Sequence, residues 1–229
     1  MRSRSIVVLS LLLPLAAGCS TVGYAVHGEL SAVALLRVSG RQGLLVNQRI
    51  SFGPYATGEV SRSATRGREL SDVLRSRAGD YSQRYSFSLA RAGTKVADVA
   101  CTAEGSAAQT LGVTWQMDRR LQCELTAPDG ERRTLALEAS RDRPLAGRVT
   151  GDEWFEVEGS TRVAGGRIAT TAGYTIARGD ARTPVAAVDV TNDGAVYLAR
   201  ADDDALAAVA AALLLYQDPL QASERFRDP

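Results

Sequence analysis

Asp202-Asp203-Asp204-Ala205-Leu206-Ala207-Ala208-Val209-Ala210-Ala211-Ala212-Leu213-Leu214-Leu215-Tyr216 is the stretch that decides how the rest of the chain is read. Ala and Leu are strong helix formers, and the run from Ala205 to Tyr216 contains no charge. The three aspartates supply N-cap oxygens and negative charge at the positive end of a helix dipole. Pro219 stops the helix, which is expected over 202–217. A helix without a polar face is buried on all sides or lies in lipid. Twelve residues rise only about 18 Å, too short to cross a bilayer. Such a helix therefore belongs inside the protein, and what precedes it must wrap around it.

What precedes it reads as β-structure. Tyr81, Gln83, Tyr85, Phe87 and Leu89 share one face of a strand, and Ser82, Arg84, Ser86 and Ser88 share the other. Arg91-Ala92-Gly93-Thr94 turns the chain into a second strand through Val99 and Cys101. Leu121, Cys123 and Leu125 alternate before Pro128-Asp129-Gly130, and Leu135 and Leu137 alternate after it. Val188 and Val190 precede Asn192-Asp193-Gly194, and Val196 and Leu198 complete that hairpin. Further strands are expected at 33–38, 44–52, 154–157, 162–170 and 174–178. No linker divides them. The expected fold is mainly β: an antiparallel curled sheet or barrel, with one buried apolar C-terminal helix, in a single domain over 31–217 followed by a polar tail, 218–229.

The amino terminus reads as an address. Arg2 and Arg4 precede ten apolar residues, Ile6 to Leu15, then Ala16-Ala17-Gly18 and Cys19. Leu15-Ala16-Ala17-Gly18-Cys19 resembles the lipobox of bacterial lipoproteins, with Ala16 where leucine is the commoner choice. The resemblance implies that 1–18 is a signal peptide and that Cys19 is acylated and becomes the first mature residue. Ser20, rather than Asp, implies sorting to the outer membrane, facing the periplasm. A lipidated tether, 19–30, then leads to the domain. In that oxidising compartment the two remaining cysteines, Cys101 and Cys123, are expected to form a disulfide. The hairpin from Val185 to Arg200 together with 202–216 resembles the tubby C-terminal-like fold, shared with LURP-one-related proteins and phospholipid scramblases. That resemblance implies a barrel enclosing the helix, with no binding residue transferred.

Composition restricts the chemistry. Among 229 residues, 27 basic side chains meet 26 acidic ones, so no field for nucleic acid is visible in the total. His27 is the only histidine, which removes most imidazole-dependent catalysis, and no zinc ligand set remains beside a disulfide. No cofactor is expected. Asp152, Glu153, Glu156 and Glu158 around Trp154 and Phe155 are the residue types of a glycan-cleaving site, but they also fit a half-exposed strand. Arg62, Arg66, Arg68, Arg75, Arg77 and Arg84 form a basic stretch that reads as a solvated loop or as a contact for lipid headgroups or anionic glycan. The expected protein is non-catalytic: a membrane-anchored binding or envelope-structural module for a lipid or an envelope protein. The alternatives are a glycan-acting enzyme and an accessory lipoprotein of an envelope assembly.

Overall fold

The computed structural model describes residues 23–26, 28–41, 49–73, 76–110, 113–141, 143–179 and 181–219. A short 3-10 turn, Gly28–Ala32, leads into β1 (Leu35–Ser39), β2 (Ser51–Phe52), β3 (Tyr55–Thr57), β4 (Ser61–Arg62) and β5 (Arg66–Val73). Three long strands follow: β6 (Ser76–Arg91), β7 (Thr94–Thr110) and β8 (Val113–Thr126). Then come β9 (Arg132–Ser140), β10 (Ala146–Thr150), β11 (Phe155–Ser160), β12 (Arg162–Val163) and β13 (Gly166–Arg167). The chain ends in β14 (Gly173–Arg178), β15 (Thr183–Asp189), β16 (Ala195–Leu198) and α1 (Asp204–Leu215).

The sheet closes on itself. Its order runs β3-β2-β1-β16-β15-β14-β11-β10-β9-β8-β7-β6, and β3 then pairs with β6 through Tyr55↔Arg91 and Thr57↔Leu89. This is a twelve-stranded antiparallel barrel. Eight strands leave an interior that wall side chains can fill, and the diameter grows with strand number. Twelve strands therefore enclose a wider space. Here α1 occupies it: every residue from Leu206 to Leu215 is buried, and α1 packs against β6, β7 and β8 as well as β15 and β16. The wall supplies large side chains such as Leu89, Leu121, Leu137, Phe155 and Ile176, and the helix answers mostly with alanine. A ring of large side chains around a slim helix is one way for a wide barrel to approach the close packing of protein interiors.

Inside and outside follow the strand alternation. On β6, Tyr85, Phe87 and Leu89 are buried, and Arg84 and Ser86 face water; on β8, Leu121, Cys123 and Leu125 alternate with exposed Gln122 and Glu124. This is the inverse of a membrane-spanning barrel, whose outer band is apolar. Cys101 and Cys123 sit directly opposite each other on β7 and β8 and are joined, with Cα atoms 4.0 Å apart. Closing a loop of 22 residues stabilises a fold by about 3 kcal/mol on the chain-entropy model.

Four parts of the chain differ from the sequence expectations. The basic stretch 61–80 is not a loop: β4, β5 and the start of β6 are hydrogen-bonded strands. They carry little core pattern because β5 and the start of β6 continue past the barrel as an arm. The strand expected at 162–170 is a two-stranded hairpin off the barrel, β12 with β13, turned by Gly165 at φ 87°. The tether assigned to 19–30 is docked from Gly23 onward. Tyr24 and Leu30 are buried with Val163, Ala172 and Ala187 on the outside of the barrel. This second layer explains why β15 is buried on both faces from Ala186 to Asp189. Of the strand expected at 44–52, only 51–52 is observed among the described residues.

Leu213, Leu214 and Leu215 are 1%, 2% and 5% exposed, and successive helical residues point about 100° apart, so three walls receive them. Replacing any one with alanine should cost about 2–5 kcal/mol in a denaturant titration. A helix lying on the protein's surface would leave the midpoint unchanged at all three positions.

Candidate functional site

The helix ends show first what the polar groups near the lumen are for. At the N-terminus, the Asp203 carboxylate accepts from the Leu206 amide at 3.0 Å as the N-cap. The Tyr55 hydroxyl donates to Asp204 at 3.0 Å, and Arg91 lies 3.4 Å from the same carboxylate oxygen. At the C-terminus the last carbonyls have no helical partner and carry the negative end of the dipole. The Tyr85 hydroxyl donates to the Ala212 carbonyl at 2.8 Å, Arg41 Nε to Leu214 at 3.1 Å and Arg62 Nη2 to Leu215 at 2.7 Å. Burial lowers the pKa of both guanidinium groups from the ordinary arginine value. Arg62 also stacks 4.9 Å above the Tyr85 ring and donates to Gln83, which donates in turn to Thr65.

This fixes one residue of the basic stretch in a role the sequence did not suggest. The Arg62 guanidinium turns inward and caps α1, so it does not present its charge to a headgroup or glycan. Arg66 and Arg84 are exposed. The side chains of Arg68 and Arg77, all of Arg75, the lone His27 and Cys19 lie outside the described residues.

Two of the carboxylates around Trp154 are held by separate arginines. Glu153 pairs with Arg178 at 3.4 Å and Glu156 with Arg182 at 3.2 Å, on the outer surface. Glu158 lies two positions beyond Glu156 on β11 and is exposed. Trp154 is covered by the Arg148 guanidinium at 5.1 Å. Two of these acids are thus engaged with arginines on an exposed surface.

Several concave surfaces lie among the described residues, two of them bordered by residues of the arm or of the docked N-terminal segment. One is a groove of about 660 Å³ across β5 to β9, bordered by Arg66, Asp80, Glu104, Asp118, Arg120 and Glu138. Its charges are mixed, and Arg120 pairs with Glu138 at 3.0 Å. A register shift between Gly105 and Ala107 lies at this groove, and such irregularities bend a strand and increase its twist.

The other groove, about 410 Å³, is bordered by Tyr24, Pro144, Glu158, Ser160, Arg162 and Arg167. The docked N-terminal segment builds one side of it. The Tyr24 amide donates to Asp189 at 3.0 Å, and the Tyr24 hydroxyl shares a hydrogen bond with Thr175 at 2.8 Å. Gly173 lets the ring approach: a Cβ there would stand 2.6 Å from Tyr24. Arg162 and Arg167 both fall within the single strand expected at 162–170, which hides their pairing across a turn. The signal for a hairpin was Gly165-Gly166 between them.

Burial of tyrosines around the helix has a measurable consequence. Burial raises the hydroxyl of Tyr174 to about 12, with nearby Arg119 opposing, and burial also pushes Tyr85, Tyr216 and Tyr55 upward. Between pH 10 and 12 the unfolded chain releases phenolic protons that the folded chain keeps, so stability falls as pH rises through that window. Ultraviolet titration of the folded protein should show most tyrosines ionising only with unfolding. Full ionisation near pH 10 with the fold retained would contradict it. Comparisons with protein-family models, with curated proteins and with solved structures find no match to this chain.

Proposed function

We infer that this protein is a lipid-anchored lipoprotein of the bacterial envelope, held by acyl chains on Cys19 at the periplasmic side of the outer membrane. It works as a non-catalytic module that binds a polar envelope partner or lipid on the outer surface of its barrel. The observation that carries the binding half of this reading is the filled lumen. Among the described residues the barrel's interior is occupied by its own helix, whereas ligand-holding barrels keep that interior for the ligand. Recognition is then assigned to outer surfaces, among them the mixed-charge groove of about 660 Å³ across β5 to β9.

The anchoring half is supported by Leu15-Ala16-Ala17-Gly18-Cys19 and the apolar run before it. Several acyl chains on one residue give firm attachment, since each buried methylene contributes about 0.8 kcal/mol. The pairing of Glu153 and Glu156 with arginines favours binding over glycan cleavage, which needs two carboxyl groups flanking one bond.

Cys19→Ala should give a protein that keeps its disulfide and fold but leaves the membrane fraction. Flotation of whole-cell membranes decides it. A variant that still floats with outer membranes at the wild-type level would overturn the anchoring.

A further inference from the structure

Four residue steps separate Cys19 from Gly23, and from Gly23 onward the segment is fixed to the barrel. Ala164 donates its amide to the Gly23 carbonyl at 3.0 Å, Ala25 donates to the Arg162 carbonyl at 3.4 Å, and Tyr24 bridges to Val163. A fully extended chain covers at most about 3.6 Å per residue, so acylated Cys19 keeps Gly23 within about 15 Å of the leaflet. This step rests on the lipoprotein reading above. The hairpin bound to Gly23 then stands at the membrane surface, and that hairpin is β12–β13.

Its chemistry suits that position. Arg162 and Arg167 occupy directly opposed positions in the register, both exposed. Among the described residues neither guanidinium makes an ion pair within 4.0 Å. Like charges facing each other across a ribbon destabilise it, so an anion between them would be stabilising. The Gly165-Gly166 tip stands in open space, with nothing within 4 Å of a Cβ at either residue. Glu158, also exposed, borders the same groove.

We propose that this groove seats the headgroup of a phospholipid that carries both a phosphate and a primary ammonium, with the phosphate on Arg162 and Arg167 and the ammonium on Glu158. Arginine's planar fork matches phosphate oxygens, and the ammonium supplies donors that a carboxylate accepts. An anionic headgroup without an amine would leave Glu158 facing like charge. The contact turns a flexible attachment into a fixed one, with the barrel resting on its own leaflet.

The test couples the chain through the Cys19 thiol to a maleimide lipid in phosphatidylcholine vesicles, alone or with phosphatidylethanolamine or phosphatidylglycerol. Chemical coupling makes the result independent of whether cells acylate Cys19, which flotation of Cys19→Ala tests separately. Amide hydrogen exchange of 162–167 should slow severalfold on phosphatidylethanolamine vesicles, with no change at 127–131. Arg162→Gln with Arg167→Gln should abolish the slowing, and Glu158→Gln should remove the preference for phosphatidylethanolamine over phosphatidylcholine. Equal exchange on all vesicles would overturn the proposal. Slowing on phosphatidylglycerol alone would overturn the assignment of the amine.

Discussion

A closed sheet of twelve strands has an interior too wide for its own side chains, and something must fill it. The apolar helix at the end of the chain does so, and much of the remaining design follows from putting a helix there. Its carbonyl end is a buried row of acceptors at the negative end of a dipole, costly if left unpaired. Tyr85, Arg41 and Arg62 are drawn inward to meet it. Arg41 also donates to the carbonyls of Val190 and Asn192, tying the β15–β16 turn to the helix end. The disulfide fixes two adjacent staves of the wall on the face that touches the helix.

The parts of the fold legible in the sequence are those where one physical signal acted alone. The helix was visible because a charge-free run too short for a bilayer has few places to go. β6 through β9 were visible because one face meets the core and the other meets water, so apolar and polar residues alternate. The arm from β5 into the start of β6 was invisible for the converse reason: Ser, Arg and acidic residues occur at both alternating positions, so no apolar face stands out. The docking of residues within the expected tether was missed because its apolar residues, Tyr24, Val26 and Leu30, show no period while packing with Ala187 on the outside of β15. Arg62 shows the limit on the site. Its charge was plain, but whether it faced solvent or a helix end depended on residues more than 150 positions away.

The placement of the outer features bears on function. β11 and β14 meet at Ser160↔Gly173, and β15 and β16 at Asp189↔Ala195, at the end of the barrel where Arg41 caps the helix. β6 and β7 pass that same end on the far wall and continue as the arm, pairing as far as Ser76↔Thr110. The docked N-terminal segment and the arm therefore leave one end of the barrel on opposite walls, with the 660 Å³ groove at the base of the arm. An anchor at Cys19 would place that whole end toward the membrane and leave the hairpin turns at 92–93 and 127–131 facing away.

The central claim is that the helix is the keystone of the barrel, and native-state amide exchange tests it most directly. If the lumen is built around α1, the amides from Ala208 to Leu214 open only when the whole domain unfolds. Their exchange free energies should equal the global unfolding free energy from denaturant titration and rank with those of Leu121 and Leu137 in the wall. Exchange of these helix amides through a local opening of much lower free energy, with β6 to β9 still protected, would contradict the account.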